Sequence, residues 1–271
     1  MPHASPGVEI RELSEPTDLD RLIGIFDDVW RPDPASRPVT NDMLRALAHS
    51  GNYVTGAFVG GRLAGGSVGF FGAPAGETLH SHMTGVSRIG RGHHVGHALK
   101  LHQQQWALAR GLRRITWTFD PLVARNAYFN IAKLGAAPIA YFRDFYGEIA
   151  DAINTGDESD RMLMSWELDT EPPTETAESV DDLLAAGARL LIEGPDHDPH
   201  AADPSTLANP GALVIPVPRD IEAMRRSRPV AAAQWRLALR EALGPLFVEG
   251  VDPPPTRFLR SGHYVVRAAS G

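Results

Sequence analysis

The stretch Leu79-His-Ser-His-Met-Thr-Gly-Val86, which runs straight into Ser87-Arg-Ile-Gly-Arg91-Gly-His-His-Val-Gly96, decides how this chain folds. Its first half reads as a strand. From Val95 onward, the positions Val95, Ala98, Leu99, His102, Trp106 and Ala109 recur at spacings of three and four, which predicts a helix of about four turns ending at Gly111. A strand feeding a glycine-containing turn that opens a helix leaves several backbone N–H groups unpaired and aimed one way. The positive end of the helix dipole lies behind them. Such a turn suits a pyrophosphate, because glycine lets the backbone come close and Arg91 adds a charge-assisted contact. A tight strand-to-helix turn that holds no ligand would read the same way.

Working outward, residues 8–13 alternate as a first strand, and Pro16-Thr17-Asp18 opens a helix through Leu19, Leu22, Ile23, Ile25, Phe26 and Val29. Asn41 is placed to cap a second helix through Leu44, Leu47 and Ala48. Tyr53–Phe58, Arg62–Phe71 and Glu77–Val86 read as an antiparallel meander joined by Gly-rich turns. Beyond the central helix, Arg114–Phe119 alternates as a strand, Asn126–Leu134 is a short helix closed by Gly135, and Met162–Leu168 is a last strand. The order is β-α-α-β-β-β-α-β-α-β, an α/β chain with an antiparallel meander in its first half. Glu171-Pro172-Pro173-Thr174-Glu175 ends this unit, which divides the chain into a domain over 1–170, an acidic, Pro-rich linker over 171–211 and a small α/β subdomain over 212–271. The last contains a strand Ala212–Val217, a helix with Trp235, Leu239, Leu243 and Leu246, and a closing pair Thr256–Leu259 and His263–Val266.

Composition bounds the function. Of 271 residues, 43% are apolar and 22% charged, the balance of an ordinary globular protein. No run approaches the roughly 18 apolar residues of a membrane span, and MPHASPGVEI lacks a secretory pattern, so no membrane association is expected. The net charge of -7 argues against a general nucleic-acid binder. The absence of cysteine excludes disulfides, thiolate catalysis, zinc fingers and iron–sulfur clusters, and fits a cytoplasmic location. Just two of the 26 basic residues are lysines, Lys100 and Lys133, a bias pointing to a GC-rich bacterial genome. Residues 171–203 hold nine acids against Arg189 alone, whereas 204–271 hold nine arginines against five acids. A solvated acidic loop accounts for this, as does pairing between the two pieces. Trp235 and its leucine neighbours read as core or as a dimer-facing stripe, and the latter would make a homodimer.

Residues 8–168 resemble the GNAT superfamily, the acyl-CoA-dependent N-acetyltransferases. Its principal motif is Arg or Gln, two residues, Gly, one residue, then Gly or Ala, after a strand ending in an apolar residue. Val86 through Arg91 to Gly96 align with it. A second segment, Asn126-Ala-Tyr-Phe-Asn-Ile-Ala-Lys-Leu-Gly-Ala136, resembles the helix that lies along the pantetheine arm. The resemblance implies a GNAT-like α/β fold, a mixed, largely antiparallel sheet flanked by helices, with acetyl-CoA as co-substrate. Its pyrophosphate would rest on the loop Arg91, Gly92, His93, His94, Val95 and Gly96, and its pantetheine between the Val86 edge and Asn126. This sequence departs from the family at two places. His94 stands where the middle glycine is usual, and Ile131 where many relatives have the tyrosine that protonates the departing thiolate. Tyr128, nearly one turn earlier, is the substitute.

His80 and His82, two apart on a strand, project from one face. The arylalkylamine acetyltransferases of this superfamily have a His-x-His in the same register, where the imidazoles help remove the proton of the substrate ammonium. The chemistry needs it, because only a neutral amine has a lone pair to attack the thioester. The expectation is that His82, closer to the thioester end, acts as base and His80 relays to solvent; a core histidine satisfied by hydrogen bonds is the alternative for either. No metal is expected. His80 and His82, or His93 and His97, have spacings a metal can use, but no carboxylate accompanies them. Asp196, His197, Asp198, His200 and Asp203 read as a solvated loop. Gly65-Gly66-Ser67-Val68-Gly69 matches G-x-S-x-G, yet the strand continues past Ser67 where a nucleophile elbow needs a helix. Trp117, Phe119, Tyr141, Phe142, Phe145 and Tyr146 line an acceptor pocket or pack as core, and Asp120, Asp144 or Glu148 pair with a cationic amine or stay solvated. The function read from all this is acetyl transfer from acetyl-CoA to a small-molecule amine by direct attack, with no covalent enzyme intermediate. The alternative is a noncatalytic module of the same fold that binds an acyl-CoA or a protein partner.

Overall fold

The computed structural model describes residues 7–33, 37–147, 157–171, 173–174, 177–202 and 211–267; Glu148, Pro172, Glu175 and Asp203 lie outside these. The chain forms two compact units, one built on residues up to Trp117 together with Glu167–Asp169, the other on the rest.

The first unit contains β1 (Val8–Glu12), α1 (Pro16–Trp30), α2 (Asn41–His49), β2 (Tyr53–Val59), β3 (Arg62–Gly72), β4 (Thr78–Val86), α3 (Val95–Leu108) and β5 (Arg114–Phe119). The strands lie in the order β1-β2-β3-β4-β5, antiparallel up to β4 and parallel between β4 and β5. This is the mixed, largely antiparallel sheet that the resemblance implies. The apolar stripe of α1 and Leu44 of α2 bury one face, where Leu19, Leu22 and Phe26 join Val54, Phe58, Val68 and Met83. Val95 and Leu99 of α3 bury the other against Ala57 and Ala64. Glycines in β3 permit the close approach of α1: a Cβ on Gly66 would strike the Leu22 side chain and lie 2.6 Å from the Thr55 carbonyl oxygen. Ser67 sits mid-strand, buried, with its hydroxyl donating to the Met83 carbonyl at 3.1 Å, so it heads no nucleophile elbow. The cap of α2 is Thr40 rather than Asn41. Thr40 is still extended and its hydroxyl accepts from the Met43 amide at 3.3 Å, whereas Asn41 is already helical.

Two irregularities of β4 shape the site. Val68 pairs with Met83 and Gly69 with Ser81, so His82 is an extra residue, a β-bulge. The pairing of β4 with β5 covers only Thr78–His80 against Arg114–Thr116. Among the described residues, that edge of β4 has no strand partner from Ser81 to Val86, although its other edge is paired with β3 to the end.

The second unit contains α4 (Ala124–Ala127), which widens into a π-helical turn Tyr128–Lys133, then β6 (Ala137–Phe142) and β7 (Arg161–Glu167), paired antiparallel. α5 (Val180–Ala185), β8 (Arg189–Leu190), β9 (Ile192–Glu193) and β10 (His200–Ala201) follow, all within the stretch that composition marks as linker. α5 begins at a capping box of Ser179 and Asp182. β11 (Ala212–Pro216), α6 (Ile221–Ser227), α7 (Pro229–Leu243), β12 (Thr256–Leu259) and β13 (His263–Arg267) complete it, with a sheet ordered β12-β13-β11-β8. β6 carries Pro138, which disguises an edge strand in the sequence, and α6 is too short to show a period. Leu246 lies past α7, in a 3-10 turn. Trp235, Leu239 and Leu243 are core.

The arginine-rich tail finds its acids elsewhere than its composition indicates. Arg257 does meet Glu178, but Arg225 and Arg236 are buried against Asp120 and Asp157, and Arg240 pairs with Asp160 at 2.6 Å.

Candidate functional site

The turn after β4 is held from below. The Ser87 amide and hydroxyl both donate to the Ala64 carbonyl, at 2.8 and 2.9 Å, and a single 3-10 turn over Arg88–Gly90 leads to the His93 amide donating to Gly90 at 3.2 Å. Among the described residues, the N–H groups of Gly92, His94, Val95 and Gly96 meet no acceptor. They precede or open the 14-residue α3, so the helix dipole reinforces them. Arg91 is exposed beside them.

His94 has φ 54 and ψ 28, the left-handed conformation that favours glycine, and its side chain is exposed and caps nothing. The backbone thus keeps the shape for which a glycine is usual, at a cost of about 1–2 kcal/mol for carrying a Cβ there. Gly90 is required for a different reason: a Cβ would lie 2.6 Å from Val86 Cγ1 and 2.9 Å from the Ala64 carbonyl oxygen. At Gly96 the nearest atom would be 3.8 Å away. Gly90→Ala is therefore expected to destabilise by about 1–3 kcal/mol, while Gly96→Ala leaves thermal stability unchanged or raised; equal melting temperatures for the two variants would refute the steric account.

His80 and His82 share a face of β4, where both rings pack against Phe70, at centroid distances of 5.2 and 5.8 Å. His80 Nδ1 lies 3.1 Å from the Thr116 hydroxyl, at the last rung between β4 and β5. His82, on the bulge, stands beyond that rung, where the edge is open. Burial pushes His80 down to about 4, helped by the charges of His82 and Lys100, and burial also lowers His82 from its ordinary value. Both imidazoles are thereby kept neutral near pH 7, the form that accepts a proton.

On the opposite face of the same strand lies a residue the sequence reading passed over. Lys100 of α3 is 6% exposed, and its ammonium donates to Ser81 Oγ at 2.9 Å and Gln103 Oε1 at 3.2 Å. It also sits 4.0 Å from the centre of the Trp117 ring. Burial pulls it down to about 7. The available signal was its rarity, one of two lysines in an arginine-rich chain.

Asn126 and Tyr128 belong to the second unit. Asn126 is exposed on α4, and the Tyr128 hydroxyl accepts from Arg260 Nε at 3.1 Å. Ile131 is buried in the π-helical turn. Several acceptor-side candidates have structural work instead. Asp120 is buried between Arg225 and Arg236, which removes it as the partner of a cationic amine. Asp144 accepts from the Ser159 amide at 3.1 Å, and Trp117 and Phe119 are core. Phe145 packs tilted against Phe142 and meets Tyr146 edge to face, with Phe145 and Tyr146 each 46% exposed. Among the described residues no three His, Asp or Glu side chains gather as a metal would need, and no helix is long and apolar enough to cross a membrane.

Residues 3–129 match the family described as Acetyltransferase (GNAT) domain. No curated protein matches the chain. Among solved structures, yncA of Salmonella typhimurium, described as an acetyltransferase and solved with its cofactor acetyl-CoA, is 16% identical, with a TM-score of 0.49, over 63% of this chain and 99% of that one. The ribosomal-protein-S18-alanine N-acetyltransferase of Escherichia coli is 15% identical, with a TM-score of 0.48, over 62% and 99%. A GNAT-family acetyltransferase of Streptococcus pneumoniae is 19% identical, with a TM-score of 0.46, over 58% and 98%. Residues 3–129, whose strand, turn and helix carry the features just described, are thus similar to the GNAT acetyltransferase domain.

Proposed function

We propose that this protein transfers the acetyl group of acetyl-CoA to a small-molecule amine. One observation carries the reading: a strand edge, Ser81–Val86, that is unpartnered among the described residues runs directly into the amides of Gly92, His94, Val95 and Gly96, which meet no acceptor among them. A pantetheine arm, with its two amides, needs an open strand edge, and a diphosphate needs clustered N–H donors. The residues of the first unit fit both, with Arg91 adding a charge. Bound there, acetyl-CoA supplies an acetyl group activated as a thioester.

His82 takes the proton of the ammonium, directly or through water, and His80 passes it toward solvent. The freed lone pair attacks the carbonyl carbon as the carbon–sulfur bond breaks, and the N–H groups at the open edge of β4 meet the charge that develops on oxygen. The proton that the attacking nitrogen sheds as the amide forms goes to the departing thiolate, which leaves as the thiol. No group of the enzyme becomes acylated.

Calorimetry with acetyl-CoA, followed by thiol release with a panel of amines, tests the reading. Arg91→Ala is expected to weaken acetyl-CoA binding roughly tenfold, the contribution of one charge-assisted contact, with kcat little changed. No binding to the wild type would sink the proposal. Binding without thiol release for any amine would favour a noncatalytic module, the reading to which the buried Ile131 lends support.

A further inference from the structure

The buried ammonium of Lys100 meets no carboxylate among the described residues: its acceptors are a serine hydroxyl and a side-chain amide, and it lies over the face of Trp117. A buried cation so placed costs free energy that a methionine of similar volume would not. It is nonetheless the position in α3 where an arginine-rich chain spends one of its two lysines. The acceptor Ser81 is the residue between His80 and His82, and the three alternate across β4, so the cation lies directly behind the imidazole pair.

We propose that Lys100 is a positioning residue for proton transfer, whose charge beneath Ser81 helps burial to hold the His80 imidazole on the other face of β4 in its proton-accepting form. This rests on the proton-handling role proposed for His80 and His82.

The groups that face His80 are few. His82 on its own strand and Lys100 from α3 are the charged or titratable ones acting on it, while β3 presents Phe70 and β5 presents Thr116. Farther along, His102 of α3 lies 3.0 Å from the Tyr53 hydroxyl and feels Glu12 of β1, and Arg114 at the start of β5 pairs with Glu167 at 3.5 Å. The sign follows from two values. His80 titrates at about 4, well below the value of about 7 for Lys100, so Lys100 is fully charged throughout the titration of His80 and opposes its protonation. Taking the charge away must therefore raise His80.

The imidazole titrations of His80 and His82, followed by NMR in the full chain, test this together with the pH profile of kcat/KM. In Lys100→Met the His80 midpoint is expected to rise by roughly half a pH unit, the acid limb of the profile to move the same way, and the KM for acetyl-CoA to stay put. Lys100→Arg, which keeps the charge, returns the midpoint toward wild type. An unmoved His80 midpoint in Lys100→Met overturns the proposal, as does an equal shift in the Met and Arg variants, which would signify packing alone. A shifted midpoint with an unmoved acid limb sustains the coupling and removes the proton role from the histidines. Should the variants not fold, the Lys100 side chain of the wild type is titrated directly: a midpoint near 7 supports the buried ammonium, and one near 10.5 overturns it.

Discussion

Asp120→Asn is expected to lower the stability of the second unit by about 3–5 kcal/mol, the range for removing one member of a buried ion pair. Asp120 accepts from Arg225 at 2.5 Å and from two nitrogens of Arg236 at 3.0 and 2.9 Å, and Asp157 accepts from the same two guanidiniums. Two carboxylates thus balance two guanidiniums out of water, and the substitution leaves one positive charge uncompensated at 2% and 8% exposed arginines. Burial works to raise the Asp120 carboxyl, but Arg236 and then Arg225 outweigh it and hold the group well below the usual carboxylate range. A depressed folded value contributes stability that is fully present above the unfolded value of about 3.9 and is lost as pH falls toward the folded one. Urea unfolding of wild type and variant should therefore differ most at neutral pH and converge below about pH 4. A difference under about 1 kcal/mol at pH 7 would be that of an exposed pair and would refute the buried network. Adding Arg236→Met to Asp120→Asn should recover part of the loss, because charge balance is restored.

His82→Ala is expected to reduce kcat/KM at pH 7 by roughly a hundredfold, the lower part of the range for general-base catalysis, since His80 remains two residues away. The deficit should shrink as pH rises, because the amine then loses its proton unaided. Wild-type activity should persist below pH 6.5, since burial lowers both imidazoles from their ordinary value. Turnover by His82→Ala equal to wild type across pH 6–9 would remove His82 from the role of base. His80→Ala should have the smaller effect, as its ring is engaged with Thr116 at the closed end of the strand pair.

What could be read without coordinates was local. The alternation of residues 79–86, the glycines of the turn and the three-and-four spacing after Val95 act within one strand or one turn of helix, and each appears where the sequence places it. The same holds for the shared face of His80 and His82. α6 and the proline-bearing β6 are not legible in the sequence because their local signal is weak, and the cap of α2 falls on Thr40 and not Asn41 because neighbours compete for one role.

The sequence alone determined the strand, the anion-ready turn and the helix, because periodicity, capping and glycine conformation are short-range physics. Tertiary structure alone decided that His82 would be a bulge, that β5 would leave β4 after His80, and that Lys100 would be buried under Ser81, 19 residues away in the chain. It also sent Asp120 to arginines 105 and 116 residues distant. Register and burial depend on which segments meet, and a charge takes its partner, and with it its proton affinity, from whatever the closed fold brings within hydrogen-bond reach.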